Sequence, residues 1–125
     1  MKIERFEDFK VWQYSRTFVA DVYSLTSNNP FSKDFGLKDQ IQRAAVSIMT
    51  NIAEGFERDN NKEFIRFLIY SKGSAGEVRS LLYVAKDLKY ISDEDFKKSY
   101  DLGVDIIKQI ANFIKYLRKQ SAEKK

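Results

Sequence analysis

Apolar positions in this chain recur at alternating steps of three and four within four separate stretches. Val11, Ser15, Phe18, Val22 and Leu25 form the first stripe, with Tyr14 alongside. Leu37, Ile41, Ala45, Ile48, Ile52 and Gly55 form the second, and Phe64, Leu68, Ser71, Ala75, Val78, Leu82 and Ala85 the third. The fourth runs through Phe96, Tyr100, Gly103, Ile107, Ile110, Ile114 and Leu117. A mean step of about 3.5 residues is the period of helices packed in a left-handed supercoil, crossing near ~20°. A half-buried strand needs a period of two, which no stretch shows.

Boundary residues agree with the stripes. Ser92-Asp93-Glu94-Asp95 reads as a capping box whose acids also suit the positive end of a helix dipole. Asn60 can cap the third helix, with Glu63 at the matching third position. The single proline, Pro30, lies in "SNNPFSKDFG", the longest connection. The other two links are short, which makes sequential helices antiparallel neighbours. The pattern therefore predicts an all-α fold, an antiparallel up-down-up-down four-helix bundle of left-handed twist. One domain spans residues 1–125, with helices over 8–27, 37–58, 61–89 and 93–119, and the lysine-rich tail 120–125 is expected to fray.

Composition narrows the chemistry. The chain has no histidine, which removes histidine triads, imidazole bases, the Glu-x-x-His pattern of di-iron bundles and the common zinc sites. It has no cysteine, so no disulfide or thiol chemistry. Any reaction would rest on carboxylates, lysines or tyrosines, and no cofactor or metal is expected. Nothing approaches the run of about 18 apolar residues that a membrane span needs. The start "MKIERFEDFK" lacks the apolar stretch of a secretory signal, so the expected location is cytoplasmic. A net charge of +4 permits nucleic-acid binding without demanding it.

One stretch departs from the simple pattern. In "VSIMTNIAEGF" (Val46 to Phe56), polar residues border the apolar face instead of lying opposite it. Gln40, Ser47, Asn51, Glu54 and Arg58 share that border. Folding back around residue 60 makes facing positions on the second and third helices sum to about 121. Ser47 is then expected near Ser74, Asn51 near Tyr70 or Ser71, and Arg43 near Glu77. Ser71, Gly73, Ser74, Ala75 and Gly76 leave the third helix lean there. Each interior glycine costs about 1 kcal/mol against alanine, so two suggest close backbone approach. Asn51, Glu54 and Glu77 could be an acid–base or metal cluster. Serines and an arginine answer the two glutamates, however, and a carboxylate metal site needs several converging acids. The reading adopted is a structural polar seam of Arg43, Ser47, Asn51, Glu54, Ser71, Ser74 and Glu77.

Two flanking patches suggest self-association. Trp12, Val19 and Tyr23 lie beside the first stripe, and Ile65, Ile69 and Tyr83 beside the third. Those helices are diagonal in an up-down bundle, so the patches face opposite ways. Unlike patches on opposite sides make head-to-tail contacts, which close into rings when the rotation allows. Basic residues gather where the N-terminus, the second turn and the C-terminus meet. Lys10, Arg58, Lys62, Arg66, Lys115, Arg118 and Lys119 are the candidate nucleic-acid contacts there, with Lys2, Arg5, Lys124 and Lys125 nearby. Acids are interleaved, and lysines at the fourth helix's C-terminus also complement its dipole.

"QIQRAAVSIMTNIAEGFERDNNKEFIRFLIYSKGSAGEV" (Gln40 to Val78) resembles the signature of a four-helix bundle family. That family is named for proteins encoded in intervening sequences of 23S ribosomal RNA genes. "FEDFKVWQYSRTF" and "LLYVAKDLKYIS" also fit its pattern, so the resemblance covers almost the whole chain. It departs at "YSKGS", where an alanine–arginine pair would be expected before Gly73-Ser74; Lys72 supplies charge without arginine's planar fork. The resemblance implies a non-enzymatic homo-oligomer, typically a homopentameric ring, with RNA or a ribonucleoprotein as a possible partner. A related branch, the accessory proteins of diversity-generating retroelements, implies the alternative of a protein–protein adaptor for a reverse transcriptase.

Overall fold

The computed structural model describes residues 3–123. Helices α1 (Lys10–Thr26), α2 (Phe35–Glu57), α3 (Asn61–Asp87) and α4 (Asp93–Glu123) account for most of them, with 3-10 turns at Phe6–Asp8 and Phe31–Lys33. No strand occurs among the described residues. Side chains start three of the helices by accepting a free backbone N–H of the first turn. Asp34 accepts from Leu37 at 3.2 Å, Asn60 from Glu63 at 3.0 Å, and Ser92 from Asp95 at 3.0 Å. Asp59 (φ 53°) and Lys89 (φ 63°) take left-handed conformations that swing the chain out of α2 and α3.

Cross-helix contacts run in opposite senses at every neighbouring pair. Gln42 of α2 donates to Thr26 near the end of α1, while Phe56 near the end of α2 meets Phe9 just before α1. Ser47 pairs with Ser74, and Gly55 abuts Phe67, between α2 and α3. Arg79 meets Tyr100, and Asn61 meets Ser121, between α3 and α4. Phe9 meets Phe113, and Phe18 meets Gly103, between α1 and α4. The four helices therefore alternate in direction and enclose one core.

That core follows the stripes with shifts of one residue at the end of α1, where Thr26 is buried and Leu25 half-buried, and in α4. Phe18, Val22, Ile41, Ile48, Ile52, Leu68, Val78 and Leu82 are fully buried. In α4, Ser99 and Ile106 are buried while Tyr100 and Ile107 sit half-buried, one position off the expected line. The tail differs too. α4 stays helical to Glu123 where fraying from residue 120 was expected, and Lys124 and Lys125 lie outside the described residues. Burial of Leu117 and the 3.5 Å contact of Asn61 Nδ2 with Ser121 Oγ hold the last turns against the start of α3. The long link between α1 and α2 is also packed. Phe31 is buried there and stacks on Tyr90 at 5.3 Å, whose hydroxyl donates to Asp34 at 2.9 Å.

Candidate functional site

The polar border of α2 is a hydrogen-bonded seam against α3. The hydroxyls of Ser47 and Ser74 lie 2.7 Å apart. Asn51 Nδ2 donates to the Ser47 carbonyl at 2.8 Å and to Ser47 Oγ at 3.0 Å. Ser71, fully buried, donates to the Ile48 carbonyl at 2.7 Å. The expected Ser47–Ser74 pair is present. Asn51, however, turns back onto its own helix, since Ser47 offers it two acceptors one turn away. Arg43 does not reach Glu77; it is exposed, and Gln40 answers Glu77 at 3.2 Å from one turn earlier in α2. Glu54 pairs within its helix with Arg58 at 3.3 Å. The two glutamates thus have separate partners. No group of acids that could hold a metal is found among the described residues. Neutral hydroxyls and an amide at these distances set helix register and satisfy buried polar atoms.

Close approach occurs at a different glycine from those expected. A Cβ on Gly55 would lie 2.7 Å from Phe67 Cβ and 2.9 Å from Phe64 Cδ1. A Cβ on Gly73 or Gly76 would meet nothing within 4 Å, so neither is required by packing within the chain.

The basic end divides over three faces. Arg58 and Arg66 flank the Phe67 ring at 4.9 and 5.0 Å. Both are tied to acids, Arg66 through two bonds to Glu63 at 2.9 and 3.1 Å and a third to Tyr70 at 3.2 Å. The Arg66 hydrogen bond holds the Glu63 carboxyl below the usual carboxylate range. Lys10 lies over Tyr14 at 5.4 Å, beside a shallow hollow between α1 and α4. Lys62, Lys115 and Arg118 face the cleft between α3 and α4, where Lys72 joins them. Lys119 is exposed on α4 away from that cleft's lining. None of Lys62, Lys72, Lys115, Arg118 or Lys119 takes part in an ion pair among the described residues. Lys72 was absent from the basic set read from sequence. Its position ten residues after Lys62 and three after Ile69 was the available signal.

The apolar flanks are altered by one residue. Tyr23, Ile69 and Tyr83 are exposed and Val19 and Ile65 half-buried, as an outer patch requires. Trp12 is a correction: it is only 9% exposed, because the Phe6–Asp8 turn folds back and sets Phe6 edge-on to it at 5.2 Å. A polar cluster beside Tyr83 escaped the sequence reading. Arg79 donates to the Tyr100 hydroxyl at 2.6 Å and sits 4.9 Å over its ring, while its buried Nε has no partner. The guanidinium, with Tyr83 beside it, pushes the Tyr100 hydroxyl down, and the neighbouring Tyr100 pushes Tyr83's own hydroxyl up.

Four antiparallel helices locked by a serine seam, with a basic cleft on one side, define an all-helical bundle. The family model described as 23S rRNA-intervening sequence protein matches residues 7–112, and the chain belongs to that family. A solved structure from Bacteroides thetaiotaomicron, described as a protein with unknown function from the S23 ribosomal protein family, is similar at 26% identity with a TM-score of 0.77. The match covers 84% of this chain and 98% of that one. No curated protein matches the chain.

Proposed function

We propose that this chain works without catalysis, as a homo-oligomer that associates with RNA or an RNA–protein assembly through its basic end. Five copies in a ring is the state that the family resemblance implies. The observation that carries the reading is the set of cations around that end, Lys62, Lys115, Arg118 and Lys119, that have no acidic partner among the described residues. Lys10, Arg58 and Arg66 extend the set onto the neighbouring faces. Contact would be made mainly to phosphates, with weak sequence preference, and would be multiplied by repetition around a ring. Val19 and Tyr23 on one side, with Ile65, Ile69 and Tyr83 on the other, are the self-association surfaces. We take the place of action to be the cytoplasm.

Light scattering together with a salt-titrated RNA-retention assay tests this reading. The expected result is a mass several times the 14.7 kDa chain and RNA retention that falls steeply as salt rises. A monomer that retains no RNA at low salt would sink it.

A second reading, an adaptor for a protein partner, is favoured by one specific observation. The floor of the basic cleft between α3 and α4 is aliphatic, formed by Ile65, Ile69 and Ala111. Phosphate contact alone has no use for such a floor.

A further inference from the structure

The two hollows along the α3–α4 cleft, of about 490 and 510 Å³, share Arg118 and form one trough. Ile65 and Ile69 project from α3 into it, Ile69 being 46% exposed, and Ala111 lies opposite on α4. Among the described residues, four cations stand on its lining and no acid does. From Lys62 to Lys72 is ten residues, or about 15 Å of helix. That length matches about three turns of a second helix lying in the trough. Gly73 is on the lining, where its missing side chain leaves a notch into which an incoming backbone can settle.

We propose that this trough receives an acidic amphipathic helix of a protein partner. Apolar side chains at i, i+3 or i+4, and i+7 rest on Ile65, Ile69 and Ala111, and flanking Glu or Asp face Lys62, Lys72, Lys115 and Arg118. The assignment rests on the adaptor reading above. Charge and surface chemistry together choose this occupant. A nucleic-acid strand would use the cations, but no aromatic side chain lines the trough for a base to stack on. A second copy's α1, which the ring reading would seat against Ile65 and Ile69, brings Lys10 and Arg16 against a single acid, Asp21, and leaves the basic rim unanswered, so the partner helix and the ring compete for this face. An acidic helix satisfies both the floor and the rim.

The test is selection from a displayed library of helical peptides, roughly twelve residues long, against the full chain. The expected winners carry a Leu or Ile stripe bordered by Glu and Asp. The best of them, made synthetically and labelled, should lose about tenfold or more in affinity for Ile69→Glu and for Arg118→Glu. Gly73→Trp should abolish its binding while leaving the melting temperature nearly unchanged, because the site is open. A labelled oligouridylate and light scattering are run on the same variants. Winners without acidic bias, or winners indifferent to Gly73→Trp, would overturn the trough while leaving the adaptor reading standing. No selected peptide at all would remove both. Oligouridylate binding that Ile69→Glu alone destroys would make the trough a nucleic-acid channel, and an oligomer dissolved by Ile69→Glu would make it a self-interface.

Discussion

Toward α2, helix α3 is closed so tightly that a Cβ on Gly55 would collide with Phe67 at 2.7 Å and come within 3.3 Å of the Phe64 carbonyl. Toward α4 the same helix carries Gly73, where a Cβ would touch nothing within 4 Å. Both glycines lie inside helices, where alanine has the higher intrinsic helix propensity. At Gly55 the chain's own packing explains the choice. At Gly73 nothing inside the chain does, and the position opens onto the α3–α4 cleft. The comparison separates a glycine that the bundle's own packing requires from one that it does not.

Four measurements can break or sharpen that contrast. The largest effect is expected for Gly55→Ala, which overpacks the α2–α3 joint and should cost about 1–3 kcal/mol. Thermal unfolding should register this as a melting temperature lower by roughly 4 °C per kcal/mol. An unchanged midpoint would mean that the two helices part freely there. Next come the seam serines. Ser47→Ala and Ser74→Ala should each cost about 1 kcal/mol, and the double variant less than the sum, since they delete one shared bond. Strict additivity in urea unfolding would argue against that bond. Gly73→Ala should move stability the opposite way from Gly55→Ala, raising it by about 1 kcal/mol. A loss at Gly73 would erase the contrast.

The smallest effect concerns pH. Arg66 holds the Glu63 carboxyl low in the folded state. The pair's contribution is therefore complete above the unfolded carboxylate value of about 4.3 and is lost as pH falls through the lower folded value. The stability gap between the native chain and Glu63→Gln should be small at neutral pH, shrink further with salt, and close in acid. A gap that widens in acid would refute the pairing.

Much of the architecture was legible because burial repeats with the helical period. Every position of the third stripe, from Phe64 to Ala85, is buried as the period requires. The Ser47–Ser74 pair followed from antiparallel register alone. Errors arose where period and register give way to side-chain reach. Gln40 and Arg43 are both within a turn of Glu77's level, and only local geometry selects Gln40. Ile106 and Ile107 are adjacent and equally apolar, so a rotation of α4 about its axis decides which enters the core. Trp12 sat on the correct flank of its helix, but a preceding 3-10 turn covered it, and a short turn leaves no periodic trace. The basic end was identified as a region, while its division over three faces depended on which cations find acids one turn away.

The burial of Trp12 also makes this molecule self-reporting. The chain holds a single tryptophan, wedged against Phe6 with the Arg16 guanidinium 5.9 Å over its ring. Its emission therefore watches one joint, the docking of the Phe6–Asp8 turn onto α1, while ellipticity watches all four helices at once. A red shift that precedes the loss of ellipticity on heating would show that this turn detaches while the bundle still stands.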